Sequence, residues 1–103
     1  MVSIIWESRA IESLDQIKNY IGKRSTKFAP ITVNKIFEKV TLLQFFPLMG
    51  RIVPEISNAN LRELIQGNYR IIYYLRNEFE ITILFILHGA QRFPDLGDIL
   101  DLD

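Results

Sequence analysis

The sequence has no cysteine and a single histidine, His88. That excludes a disulfide framework, a thiolate nucleophile and Cys-based or multi-His metal centres, and it makes a reducing, cytoplasmic setting the expectation. Long apolar runs are also missing at the start, where MVSIIWESRA returns to charge at Glu7, so neither a signal peptide nor a membrane-spanning helix is expected. There is no net charge, because twelve Lys and Arg balance twelve Asp and Glu, which argues against an indiscriminate nucleic-acid binder. What the chain does have is apolar bulk. Hydrophobic residues make up 49% of its 103 residues and aromatics 12%, enough for one core and too little chain for two. A single domain over residues 1–103 is expected, with 95–103 an acidic tail.

The charge balance hides an asymmetry. Asp95, Asp98, Asp101 and Asp103 fall in the last nine residues, so residues 1–94 carry twelve basic against eight acidic side chains. Most of the excess lies between Ser8 and Phe46, a pattern expected of solvated outer helix faces. Val2 to Trp6 is β-branched and aromatic and predicts an opening strand, with Ser8 positioned to cap a helix directly after it. Ala10, Ile11, Leu14, Ile17, Tyr20 and Ile21 recur at helical spacing up to about Arg24. A second helical period runs from near Phe28 through Ala29, Val33, Ile36, Phe37, Val40 and Leu43, reaching as far as Phe46, until Pro47 and Gly50 stop it. The short polar link Lys23 to Thr26 makes the pair an antiparallel hairpin.

The second half changes period. Gly50 to Ile56 reads as extended, since Val53 precedes a proline. Three strand-like runs follow, Leu61 to Gln66, Tyr69 to Leu75 and Glu80 to Leu87, separated by Gly67-Asn68 and by Asn77 to Phe79. The fold class is therefore α+β, an N-terminal strand and a helical hairpin packed on a small, mostly antiparallel sheet. The strands are apolar at nearly every position, so the hairpin is expected on one face and a partner on the other.

No phosphate loop, dinucleotide fingerprint, nucleophile elbow or zinc cluster has its spacing here, and no cofactor or metal is expected. The polar groups left in the strand half are the candidates for function. Arg70 interrupts YRIIYYL and must either pair with Glu63 or Glu55 or open onto a concave binding face. If Asn77 to Phe79 close the last hairpin as a three-residue turn, Arg76 pairs with Glu80, Arg70 pairs with Ile86, and His88 shares the face of Arg70. Glu55, Arg70 and His88 could then converge as general base, phosphorane stabiliser and general acid for metal-free RNA cleavage. Arg51, Arg62, Tyr69, Tyr73, Gln91 and Arg92 are the candidate binding residues around them.

These pieces stand in a familiar order: a strand ending in Trp6, ESRAIESLDQI, FPLMGR, VPE, RELIQGNYRIIYYL and ITILFILHGAQR. From residue 2 to about 94 the chain resembles the RelE/ParE superfamily of toxins from type II toxin–antitoxin systems. The resemblance implies a growth-inhibitory protein, of a kind associated with plasmid stabilisation, that a cognate antitoxin neutralises. It also implies one of two targets, DNA gyrase for ParE-like members or the ribosome with its mRNA for RelE-like endoribonucleases. Trp6, Gly50-Arg51 and LHGAQR look closer to ParE, and the neutral charge points the same way, since a ribosome-docking nuclease needs a basic surface. Gyrase inhibition is the main expectation and mRNA cleavage the alternative. For the tail, either a mobile acidic segment or a capping helix with Leu96, Ile99, Leu100 and Leu102 on the sheet edge is expected.

Overall fold

Strand and helix join without a loop at the start of the chain. The computed structural model describes residues 1–89 and 91–95 and opens with β1 (Ser3–Trp6) and α1 (Ser8–Gly22). The Glu7 N–H still donates to the Ile83 carbonyl in the sheet, while the Glu7 carbonyl already accepts from Ala10 and Ile11. Glu7 therefore fills the N-cap position and Ser8 becomes the first helical residue, which corrects the expectation that Ser8 caps the helix. α1 buries Ala10 and Leu14, with Ile17 and Ile21 half-buried, while Ile11 and Tyr20 from the same apolar set stay exposed. After residues 23–27 the chain turns back as α2 (Phe28–Thr41), with Pro30 in the first turn, where no intrahelical donor is needed. The helical period ends sooner than expected, at Thr41, and a 3₁₀ turn (Leu42–Gln44) leaves Phe46 outside the helix.

The rest of the chain is sheet: β2 (Arg51–Ile52), β3 (Leu61–Gln66), β4 (Tyr69–Leu75) and β5 (Glu80–His88). The spatial order is β1-β5-β4-β3-β2, with β1 parallel to β5 and every other pair antiparallel. Gly67 alone in its two-residue turn takes a positive φ, 60°, as the first position of a type II′ hairpin requires. The extended segment expected from Gly50 to Ile56 stops at Ile52. Pro54 starts a turn in which the Val53 carbonyl accepts from both Ile56 and Ser57, and Ser57 leaves it at φ 58°.

The sheet has two apolar faces. On the helix face, Leu64, Ile71, Tyr73, Ile81, Ile83 and Ile86 pack against Ala10, Leu14, Ile36, Val40 and Leu43. On the other, Leu61, Ile72, Leu84, Phe85 and Leu87 gather with Val53, and Ile56, Tyr74 and Phe93 pack around them. The cover expected from a partner thus comes in part from the chain's own turn at Val53 to Ile56 and from Phe93, which meets Phe85 edge-on at 5.6 Å. The residues assigned to an acidic tail beyond Asp95 lie outside the described residues. Among the described residues no helix is long and apolar enough to cross a membrane.

Candidate functional site

The three-residue turn forms as expected, with the Arg76 N–H on the Glu80 carbonyl. Leu75, Tyr74 and Tyr73 then oppose Ile81, Thr82 and Ile83, but Ile72 opposes Phe85, so β5 carries a bulge at Leu84. Leu84 and Phe85 both turn to the face away from the helices. Every later residue of β5 is therefore shifted by one. Arg70 pairs with Leu87 instead of Ile86, and His88 pairs with Tyr69. Arg70 and His88 emerge on opposite faces, which corrects the expected convergence of Glu55, Arg70 and His88.

On the face away from the helices, an ionic chain runs through Arg51, Glu63, Arg70 and Glu55. Glu63, buried at 1% exposure, accepts from Arg51 Nε at 2.6 Å and from Arg70 Nε at 2.9 Å and Nη2 at 2.5 Å. Arg70 also gives a two-pronged contact to Glu55 at 2.7 and 2.8 Å. Both alternatives posed for Arg70, Glu63 and Glu55, are thus taken at once. The Arg70 hydrogen bonds hold the Glu55 carboxyl below its usual range, against a smaller opposing effect of burial. The same contacts, Glu55 first, raise the Arg70 guanidinium further above neutrality. Phe93 lies over the Arg70 guanidinium at 5.6 Å. Two guanidinium and two carboxylate groups cancel, so Arg70 is a neutralised staple between β4, β3 and the turn after β2.

Two of the candidate binding residues serve the fold itself. Tyr73 is fully buried on the helix face, where its hydroxyl accepts from the Gly50 N–H at 3.0 Å and donates to the Pro47 carbonyl at 2.9 Å. Burial is the main cause of its raised pKa. No partner can reach it in this fold, which corrects its assignment as a contact residue. Arg62 donates to the carbonyls of Ala59, Leu48 and Gly50 and so ties down the segment on either side of β2. Arg51 keeps most of its side chain exposed, and Arg92 is exposed.

The remaining candidates, Tyr69, His88 and Gln91, meet on the helix side. Together with Ser13, Gln16, Ile17, Tyr20 and Ile86 they line a cleft of about 420 Å³ between α1 and the ends of β4 and β5. His88 stands edge-on to Tyr69 at 5.5 Å, and the Gln91 side-chain oxygen accepts from the His88 N–H at 2.7 Å. Burial, then the neighbouring Tyr20, raises the Tyr69 phenol above its ordinary value. Tyr20 was expected in the buried stripe of α1 but is 55% exposed, because its side chain lines the open cleft instead of packing into the core. Ser13, Gln16 and Tyr20 had no mark in the sequence beyond their helical phase.

Comparison with known proteins adds what geometry alone does not. The family described as ParE toxin of type II toxin–antitoxin system, parDE, matches residues 4–93. The chain belongs to the ParE toxin family. Protein Y4kP of Sinorhizobium fredii is 31% identical over 93 residues, covering 90% of this chain and 94% of its own length. Toxin RelE2 of Caulobacter vibrioides is 29% identical over 91 residues, covering 88% of this chain and 99% of its own. A solved structure of a chromosomal ParDE toxin–antitoxin system from P. aeruginosa matches with a TM-score of 0.72 at 25% identity, over 85% of this chain and 96% of that one. This ParE-family chain is a toxin of a type II toxin–antitoxin system with a cognate antitoxin as its partner, built on the α+β fold expected from its sequence.

Proposed function

We propose that this ParE-family toxin arrests growth by binding a protein target, DNA gyrase, and does not cut RNA itself. The observation that carries this reading is the Leu84 bulge, which parts the chain's single imidazole, His88, from Arg70, the arginine expected to hold the phosphate. A metal-free ribonuclease needs its base, its charge stabiliser and its acid around one scissile phosphate. Here Glu55 and Arg70 neutralise one another on one face and His88 opens into the cleft on the other. Surface recognition has no such requirement. The toxin acts in the cytoplasm, where gyrase and antitoxin meet, and the pair serves plasmid stabilisation.

The test is to add purified toxin to gyrase with plasmid and to a translating extract in parallel. Supercoiling should fall while messages stay full length. Cleaved mRNA that disappears with His88→Ala, alongside normal supercoiling, would overturn the proposal. Ribosome-dependent mRNA cleavage remains the second reading because one relative carries the name Toxin RelE2 and because His88, Tyr69 and Gln91 do share one cleft. It requires catalysis from that cleft, without Arg70.

A further inference from the structure

We infer that the tip of the helical hairpin and the cleft beside it form a binding surface for single-stranded nucleic acid, with the cleft taking one unstacked base. The inference goes beyond the gyrase reading and does not depend on it. Two separate features meet at Tyr20.

The first is charge. Residues 16–37 contain Lys18, Lys23, Arg24, Lys27 and Lys35 and no acidic residue. Of these, Lys18, Lys23, Arg24 and Lys27 stand exposed around the turn between α1 and α2. Lys18 and Lys23 border a shallow hollow there together with Asn19 and Thr26. Residues 16–37 thus form a basic stretch without acidic residues around the turn of the hairpin. Such a cluster attracts phosphates by neutralising them and releasing their counterions.

The second is the cleft itself. Among the described residues no carboxylate lines it, Ile17 and Ile86 supply its apolar part, and the rings of Tyr20, Tyr69 and His88 stand beside the carboxamides of Gln16 and Gln91. Rings offer stacking surfaces to any base, and carboxamides match the mixed donor and acceptor edge that an unpaired base exposes. Gln91 spends its side-chain oxygen on the His88 N–H, which leaves its NH₂ group to donate. A volume of about 420 Å³ is on the scale of one nucleoside. Arg24 lies over the Tyr20 ring at 4.8 Å, so the outermost ring of the cleft and the basic tip are one continuous surface. A base seated against Tyr20 would bring its own phosphate beside Arg24. An acidic protein segment would be drawn to the same cations but has no use for a carboxamide-edged aromatic slot.

The experiment measures fluorescence anisotropy of short labelled DNA and RNA single strands, the matching duplex and mononucleotides with the full-length toxin, across a salt series. Single strands should bind saturably and better than duplex. The Lys23→Gln/Arg24→Gln pair should flatten the slope of log affinity against log salt by roughly 0.7 for each phosphate it no longer neutralises. Tyr20→Ala should weaken binding by about tenfold with the salt slope unchanged, since base stacking carries no counterion release. Lys35→Gln, away from the tip, should change little, and circular dichroism melts should match the parent for all variants. Absent binding, an unaffected Tyr20→Ala, or Lys35→Gln as harmful as the tip pair would overturn the inference. Mononucleotides binding as well as strands would overturn it in favour of a free nucleotide. Tip variants that keep oligonucleotide binding but lose antitoxin would overturn it in favour of an acidic protein segment.

Discussion

Gly50 is the most tightly enclosed of the described glycines. A Cβ there would stand 2.5 Å from the Tyr73 hydroxyl and 2.6 Å from the Glu63 carbonyl, because the Tyr73 ring is pressed against this backbone to reach both the Gly50 N–H and the Pro47 carbonyl. Gly50→Ala must push the ring out or break both hydrogen bonds, and should lower stability by about 1–3 kcal/mol in urea unfolding. Tyr73→Phe keeps the packing and leaves the Gly50 N–H buried without an acceptor, for a loss on the order of 1–3 kcal/mol. Glu63 should prove costlier still. Its carboxylate, with none of its side chain exposed, serves two guanidinium groups, and Glu63→Leu would leave the Arg70 charge short of one partner on an apolar face, a loss of about 3–5 kcal/mol. An unfolding midpoint for Glu63→Leu equal to the parent would show that Glu55 alone suffices for Arg70.

At the scale of elements, the turn after β2 is joined to β4 by the Arg70–Glu55 contact, and this joint should weaken in acid. The folded pKa of Glu55 is depressed, so the stability it contributes is fully present above its unfolded value, near 4.5, and is lost as pH falls through the lower folded value. Glu55 is partly exposed, so the effect is modest and screened by salt. Urea midpoints measured downward from neutral pH should drop less steeply below about pH 4.5 in Glu55→Gln than in the parent. Much of this arrangement is legible in the sequence: β3 and β4 begin and end where their runs of apolar residues do, and the three-residue turn forms where its residues predict it. The bulge is not. In ITILFIL the apolar residues from Ile83 to Leu87 have no polar partner to mark which side faces in, so Leu84 and Phe85 can share a face at no cost in burial. One extra residue there moves His88 across the sheet. The second cover is equally hidden, since Phe93 belongs to no periodic run and its place on Phe85 and Arg70 is a long-range contact.

For the molecule as a whole, the apolar residues left outside matter most. Phe45 at 62%, Phe46 at 61% and Leu48 at 63% exposure, with Met49 and Ile52, crowd the segment that leads into the two-residue edge strand β2. An apolar patch against a short, open sheet edge invites association. The free toxin should therefore scatter light on concentration, and Phe46→Ser with Leu48→Ser should suppress this without lowering the melting temperature, because neither side chain contributes to the two cores. The antitoxin should act in the other direction. A partner that binds only the folded toxin adds about 2.7 kcal/mol of apparent stability at a hundredfold excess over its Kd, which for a domain of this length raises Tm by roughly 10–20 °C. Calorimetry of the toxin with increasing antitoxin should show that concentration-dependent rise. If the double serine variant keeps the rise while losing self-association, the antitoxin sits elsewhere, and the Phe45 to Ile52 patch is left for the toxin's target.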